Sequence, residues 1–323
     1  MIRKPNPKIV PSDNSETDAK TSTKNGPNLL HPRFWGSWMV VGLLRIIALL
    51  PFSAKRFAGK FFGLLIYHIG RNRRHVTSTN IRLCFPELSE SEQRHLVREI
   101  FIQNGIGFFE IAWSWWVNPA SLQDLYQIEN LELLHEAQRD GKGVLLVGAH
   151  FVHLDLCGIM LCQRAPMGVI YRENNDPVLE RVITQGRKRI FSHVLERSDM
   201  RSIVRALKAG AAIWYAPDQD FNHRQSVFAP FFGQIASTLT ATSKLARLGN
   251  AKVLGLFHYR DPETHRYRIV FRPIDDSFPT GDEVQDATLV NQMIEDAIRQ
   301  EPAQYMWVHR RFKSRPPGEA SVY

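Results

Sequence analysis

A histidine and an aspartate five residues apart, His150 and Asp155, follow a short apolar run at 144–147. The run predicts a buried strand, and in open α/β sheets ligands bind beyond the carboxyl ends of the strands. An imidazole at such a position, with a carboxylate close by, suits a general base that an acid orients. Because no Ser or Cys stands beside His150, we expect this base to activate a hydroxyl of the substrate rather than of the enzyme.

The spacing alone is not specific, because the chain has 12 His and three of them precede an acidic residue by five positions. The three pairs are His135/Asp140, His150/Asp155 and His258/Glu263. The first lies in an amphipathic helical pattern and the third flanks a turn between two strand-like runs. Only the second lies at a strand end beside a turn of small residues, so it is the pair predicted to be catalytic.

Two further carboxylates, Asp218 and Asp220, directly follow the apolar run 211–216. Paired carboxylates at a strand end can hold a divalent metal ion, and they can equally orient basic groups or hydrogen-bond a sugar. The first possibility leaves a metal-dependent membrane glycosyltransferase built on these two residues as an alternative function.

A set of cations accompanies the segment YRENNDP, which follows the strand-like run 167–171. The set comprises Arg172, Arg187, Lys188, Arg189 and Arg224. Arginines grouped at one edge of a sheet suit phosphate, which they bind through bidentate contacts, although a run of basic residues is also typical of a solvated helix face. The sequence lacks a phosphate-binding glycine motif and a nucleic-acid fold signature, so neither nucleotides nor nucleic acids are expected as partners.

Composition favours an anionic partner and a reducing compartment. The 323 residues carry a formal net charge of +9, which suits an anionic lipid surface or a phosphorylated substrate. The three Cys form no Cys-x-x-Cys pair, so a disulfide framework or a zinc site is not expected. We predict neither a metal nor another cofactor.

The N-terminal part divides into a polar tail and an apolar helix. Residues 1–30 lack a core-forming pattern and are expected to be disordered. The apolar segment 34–52 is long enough to cross a bilayer, so 31–56 is predicted to be a transmembrane or membrane-inserted helix, with a buried or interfacial helix as the alternative. Basic residues after it predict a single-pass inner-membrane protein with its active site on the cytoplasmic side.

Residues 57–323 are predicted to form one α/β domain. Strand-like runs at 143–149, 167–171, 211–216, 252–258 and 267–272 alternate with helical patterns. Such alternation predicts a largely parallel sheet with helices on both faces, and the turn at 261–265 adds an antiparallel element.

Several long motifs, in order along the chain, resemble one family. They are HPRFW at 31–35, NIRLCFPELSE, LLVGAHFVHLDL, YRENNDP, RALKAG, IWYAPDQDF, SVFAPFFG, TATSKLARL and EPAQYMWVHRRFK. The chain resembles the late acyltransferases of lipid A biosynthesis, most closely the lauroyltransferase and palmitoleoyltransferase branches. The resemblance implies a mixed sheet like that of the glycerol-phosphate acyltransferases, and it places the family's HXXXXD motif on His150 and Asp155.

The resemblance implies transfer of a fatty acyl group, with lauroyl expected, from acyl carrier protein to a hydroxyacyl chain of Kdo2-lipid IVA. His150 would be the base and Asp155 would orient it, whereas Arg187 and Asp218 match further functional positions of the family. Arg172, Arg189 and Asp220 are expected to bind substrate beside them. Partners would be acyl carrier protein, an anionic glycolipid and inner-membrane lipid. A glycerolipid acyltransferase of the same mechanism and a non-catalytic membrane-binding protein stay open as alternatives.

Overall fold

The protein is described here by a computed structural model, which covers residues 28–221 and 225–323. Residues 1–27, with most of the predicted disordered tail, and Arg224 of the cationic set lie outside the described residues. Helices α1 to α10 span Trp35–Leu49, Phe52–Ile69, Arg71–Cys84, Glu90–Ser114, Leu131–Gln138, Leu154–Cys162, Pro177–Lys188, Met200–Lys208, Ala241–Gly249 and Glu283–Gln300. Strands β1 to β9 span Tyr126–Glu129, Val144–Val147, Gly168–Tyr171, Val194–Glu196, Ala212–Tyr215, Ser226–Phe231, Gln234–Leu239, Lys252–Arg260 and Tyr267–Pro273.

Seven strands form the central sheet in the order β1-β9-β8-β2-β5-β3-β4. Every neighbouring pair is parallel except β8 and β9, which form the antiparallel hairpin expected around the turn at 261–265. The predicted mixed sheet is therefore confirmed. The short edge strands β1 and β4 and the separate hairpin of β6 and β7 were not predicted.

Strand β2 lies in the middle of the sheet, between β5 and β8, and all four of its side chains are buried. Successive side chains of a strand point to opposite faces. Leu145 and Val147 accordingly belong to the core shared with α8, α9 and α10, whereas Val144 and Leu146 pack with α6 on the other face. Burial on both faces explains why the run is continuously apolar.

The N-terminal apolar segment does not form the predicted transmembrane helix. It is divided by Leu50, whose backbone is extended, and by Pro51, so that α1 ends at Leu49 and α2 begins at Phe52. The 15 residues of α1 extend about 22 Å, whereas a bilayer core is about 30 Å thick. Among the described residues, no helix is long and apolar enough to cross a membrane. The prediction of a single-pass inner-membrane protein is therefore wrong.

Helices α2 and α4 pack with their backbones in contact, because glycines line the interface. A Cβ on Gly59 of α2 would lie 2.6 Å from the Cα of Ile106 on α4, and a Cβ on Gly105 of α4 would lie 2.6 Å from the Cα of Gly63. Larger residues could not be accommodated without separating the helices. This contact fixes α2 against α4, which also packs on the loop that carries His150.

Candidate active site

Parallel pairing brings the segments after β2 and β5 together. Val147 pairs with Tyr215 at the ends of the two strands, and the amide of Gly148 donates to the carbonyl of Tyr215 at 2.9 Å. The segments that follow β2 and β5 then leave the sheet at the same edge. His150 and Asp218, three residues beyond each strand, consequently meet there.

The carboxylate that contacts the His150 imidazole is that of Asp218. Its Oδ1 lies 2.6 Å from Nδ1 of His150, and its Oδ2 accepts from the backbone amide of His150 at 2.9 Å. Because an ionised carboxylate only accepts hydrogen bonds, Nδ1 carries the proton and Nε2 is left as the basic nitrogen. Asp218 is fully buried while 26% of the His150 side chain is exposed, so the base can meet a substrate and its partner cannot.

Contact between the two groups raises the pKa of His150 and lowers the pKa of Asp218. Burial lowers the pKa of His150, but the charge of Asp218 and its hydrogen bond outweigh this and raise the pKa above its ordinary value. For Asp218, burial acts to raise the pKa, yet the charge and hydrogen bonds of His150 lower it to about 2, with a further contribution from a hydrogen bond of Tyr305. Asp218 is therefore ionised throughout the pH range in which His150 titrates.

Asp155 lies elsewhere than expected, because it contacts Arg187 and not His150. It sits in the first turn of α6, and Nη2 of Arg187 donates to its Oδ1 at 2.9 Å and its Oδ2 at 3.1 Å. Both side chains are largely buried, at 10% and 17% exposure. The four residues that the sequence ranked first thus form two ion pairs, His150–Asp218 and Asp155–Arg187.

A C-terminal segment holds the loop of His150 in place. The amide of Met306 donates to the carbonyl of His150 at 3.0 Å, the amide of Val152 donates to the carbonyl of Gln304 at 3.0 Å, and Phe151 pairs with Tyr305 as an isolated antiparallel bridge. Sequence reasoning assigned no role to these residues. The only available signal was the motif EPAQYMWVHRRFK, which gives no indication of where its backbone docks.

A small, mostly polar cleft adjoins the base. It is lined by His150, Asp218, Tyr305, His309 and Arg311, among others. The buried guanidinium of Arg311 donates to the carbonyl of Ser237 and the hydroxyl of Thr238, which fixes a positive charge beside the cleft. Such a fixed charge can stabilise an anion that develops on a substrate.

A second, apolar cavity with a volume of about 20 Å³ lies between α6 and the sheet, and Asp155 is among the residues that line it. Its lining includes Gly158 and Leu161 of α6, Trp214 of β5 and Phe191. The cavity has room for about one water molecule, and its largely apolar lining suits contact with hydrocarbon.

Three buried groups near this cavity have the types of metal ligands, namely His153, Cys157 and His258, whose donor atoms lie within 4.8 Å of one another. The two histidines, however, are already hydrogen-bonded within the protein. Nδ1 of His153 is 2.8 Å from Nδ1 of His258, and Nε2 of His153 is 2.8 Å from Oε1 of Gln304. Burial lowers the pKa of both rings, that of His153 to about 3, so both are neutral and form a hydrogen-bonded chain. His258 is part of the lining of the apolar cavity, so this chain supports the wall of that cavity.

The other predicted residues have partners different from those of the base. Asp220 accepts from the amide and the hydroxyl of Ser314 at 2.6 and 2.9 Å, so it and Asp218 are held by different partners. This arrangement removes the support for a metal ion shared by the two carboxylates. Arg172 and Arg189 are both exposed, and Arg189 donates to the backbone carbonyls of Trp115 and Val117.

Comparisons with known proteins all point to one protein family. Residues 22–314 match the family described as bacterial lipid A biosynthesis acyltransferase. The chain is 37% identical to a lipid A biosynthesis palmitoleoyltransferase of Escherichia coli, covering 91% of this chain and 96% of the relative. It is 35% identical to the lauroyltransferase of the same organism, over 91% and 97%, and 29% identical to the myristoyltransferase, over 91% and 91%. The chain is therefore an acyl-transferring enzyme and belongs to the bacterial lipid A biosynthesis acyltransferases.

Proposed function

We propose that this enzyme transfers a fatty acyl group, with lauroyl preferred, from acyl carrier protein to a hydroxyacyl chain of Kdo2-lipid IVA. The observation that carries the proposal is the His150–Asp218 pair, a buried carboxylate that leaves the basic nitrogen of an accessible imidazole free. No acyl-enzyme intermediate is needed, because the incoming hydroxyl is itself the nucleophile.

In the reaction, Nε2 of His150 takes the proton of the acceptor hydroxyl as its oxygen attacks the thioester carbonyl. The charge of Asp218 stabilises the imidazolium that forms, as the acid of a hydrolase triad does. The carbon–sulfur bond then breaks, and the imidazolium returns its proton to the departing thiolate. The products are the ester and the free thiol of the carrier, and His150 is again neutral.

Asp155 and Arg187 act beside the base and not through direct contact with it. Asp155 is part of the lining of the apolar cavity, and its ion pair with Arg187 fixes both side chains. Arg187 can still donate to a substrate oxygen with its remaining N–H groups, because a guanidinium has five donors. We therefore assign this pair to positioning the thioester, and Arg311 to the charge that develops on its carbonyl oxygen.

The donor's acyl chain is proposed to enter the apolar cavity between α6 and the sheet, whose lining side chains must move apart to admit it, because its volume is close to that of one water molecule. Phe191 is part of this lining, and a Cβ on Gly158 would lie 2.9 Å from the tip of its ring. The depth of the cavity would then depend on a few side chains, and these would set the acyl chain that fits. The net charge of +9 also suits an acidic carrier protein and an anionic glycolipid.

A competition assay tests the proposal. Purified full-length protein would receive Kdo2-lipid IVA and equal amounts of lauroyl, myristoyl and palmitoleoyl carrier protein, and the product would be identified by mass spectrometry. We expect a product heavier by one lauroyl group, unchanged in the presence of a chelator. A predominance of another chain would correct the donor, while the absence of any ester would refute the proposed reaction.

A second acceptor distinguishes the alternative of a glycerolipid acyltransferase, which would use the same base. Glycerol 3-phosphate and a lysophospholipid would be supplied in place of Kdo2-lipid IVA, with the same donors. We expect no transfer to either, and efficient transfer to them would reassign the acceptor.

A further inference from the structure

An open groove of about 470 Å³ lies between α1, the end of α4 and α7, and the proposed reaction does not use it. Three tryptophans and three arginines account for most of its wall, namely Trp38, Arg45, Trp115, Trp116, Arg181 and Arg189. No acidic side chain lines it. The groove therefore combines positive charge with flat apolar surface.

The three arginines of the groove have no carboxylate partner in the part of the chain that the structure describes. The guanidinium of Arg45 instead lies over the ring of Trp116, 5.2 Å from its centroid. The indole of Trp115 lines the groove beside these arginines, so an anion there would meet positive charge against a flat apolar wall.

The groove opens beside an exposed apolar surface on α1. Trp38, Val41 and Arg45 face the groove, while the next side chains around the helix are exposed to solvent. These are Trp35, Met39, Leu43 and Ile46, each between 58% and 73% exposed. Large exposed apolar patches mark contact surfaces, and a patch beside basic residues is typical of contact with anionic lipid.

The position of the groove separates it from the reacting groups. Arg181 and Gln185, four residues apart on α7, line the groove, whereas Arg187 reaches Asp155. Side chains two residues apart on a helix point about 200° apart, so Arg187 lies on the opposite side of α7 from Gln185. A lipid with its phosphate in the groove would consequently not place its own chains at His150.

We propose that the groove binds the phosphate headgroup of an anionic glycerophospholipid, taken from a membrane surface on which the exposed face of α1 lies. The arginines would bind the phosphate, the indole rings would pack against the glycerol backbone, and the lipid's chains would contact α1. The lipid is a ligand distinct from acyl donor and acceptor. The site would hold the enzyme on the surface that contains its lipid substrate.

Vesicle binding of the full-length protein tests the site without any turnover, so its outcome is independent of the proposed acyl transfer. Vesicles of phosphatidylcholine would be compared with vesicles that also contain phosphatidylglycerol. We expect the wild-type protein to prefer the anionic vesicles, and R45Q/R181Q to lose that preference by about tenfold or more. The matched control R164Q/R201Q removes the same charge from exposed arginines outside the groove and should retain it.

A second variant fills the groove without changing its charge. Gly42 lines it, and a Cβ there would meet nothing within 4 Å, so G42F can be accommodated without disturbing the packing. We expect G42F to reduce the preference for anionic vesicles and to abolish the change in tryptophan fluorescence that a soluble short-chain phosphatidylglycerol causes in the wild type.

Three results would overturn the proposal. Equal losses in R45Q/R181Q and R164Q/R201Q would show only nonspecific attraction to a charged surface. Unchanged selectivity in G42F would show that the groove is not occupied. If R45Q/R181Q or G42F increased the KM for the glycolipid acceptor and left vesicle binding unaltered, the groove would be assigned to the acceptor instead.

Discussion

The edge of the sheet at His150 and the N-terminal helix pair α1–α2 are built on opposite principles. At His150, polar groups are buried and bonded to one another: Asp218 to His150, Asp155 to Arg187 and His153 to both His258 and Gln304. In α1 and α2, large apolar side chains are exposed, with Phe57 at 78% and Met39 at 73%. Directional bonds fix a reacting group, whereas an apolar surface binds a fluid partner without fixed geometry. Single substitutions should therefore be severe at the first region and gradual at the second.

The largest expected effect is that of His150→Ala, which removes the base. The rate of transfer should fall about 10²–10⁴-fold, because that is the usual contribution of general base catalysis. His135→Ala is the matched control, since His135 lies on α5 and outside the cleft. Rates with purified, folded protein decide the matter, and a His150→Ala rate above a tenth of wild type would exclude the assigned base.

Asp218→Asn should be the next most severe, with a loss about tenfold smaller than that of His150→Ala. It should also move the pH profile. Transfer by the wild type rises with pH as His150 loses its proton, at a pKa raised by Asp218. Without the carboxylate that pKa falls, so the acid limb of log kcat/KM should shift to lower pH. An unshifted limb would mean that another group titrates in the profile.

Breaking the second ion pair should affect stability as well as rate. Arg187→Gln leaves the largely buried carboxylate of Asp155 unpaired, and we expect the free energy of unfolding to fall by about 1.5–3 kcal/mol. Asp155→Asn in addition should restore part of that loss, since paired residues are not additive. Denaturant unfolding of the wild type, the two single variants and the double variant measures the coupling between the two residues. Lys188→Gln, at the exposed neighbouring position, serves as the control. Strict additivity would show that the pair contributes nothing as a pair.

A smaller effect is expected from a substitution in the lining of the apolar cavity. Gly158→Val would reduce the apolar cavity against Phe191, so the preferred donor should become shorter. Each methylene that is excluded changes the binding free energy by about 0.8 kcal/mol, or about fourfold in preference. Competition between acyl carrier proteins of different chain length measures this. An unaltered preference would place the acyl chain elsewhere.

The smallest effect should come from the helix pair. Phe61→Ser on α2 removes one of several exposed rings, and adsorption to vesicles should weaken about tenfold or less, with transfer to a soluble acceptor unchanged. Val284→Ser on α10 provides an exposed apolar control. If both substitutions reduced adsorption equally, the α1–α2 surface would have no special role.

The contrast also separates what the sequence could predict from what it could not. Strands β2, β5 and β8 were predictable because continuous apolar runs are typical of strands buried on both faces, and the shared edge of His150 and Asp218 followed from them. The sequence did not identify which carboxylate contacts His150. Asp155 is close in sequence, but it lies in the first turn of α6, where it meets Arg187.

Other parts escaped prediction for two different reasons. Tyr305 and Met306 reach His150 only through tertiary packing, for which no local pattern exists. The break between α1 and α2 did have a local signal, since a residue before proline, here Leu50, is biased towards extended backbone. The segment 34–52 was predicted to be one helix because its total hydrophobicity was considered without this local signal.

The docking of the C-terminal segment on the loop of His150 has a consequence for how the enzyme is made. Domains generally fold as units, and the central sheet is complete only when β8 and β9 have been synthesised. Gln304, Tyr305 and Met306, which hold the loop of His150, follow these strands in the chain. We therefore expect a chain that stops before Gln304 to lack the backbone partners of its catalytic loop.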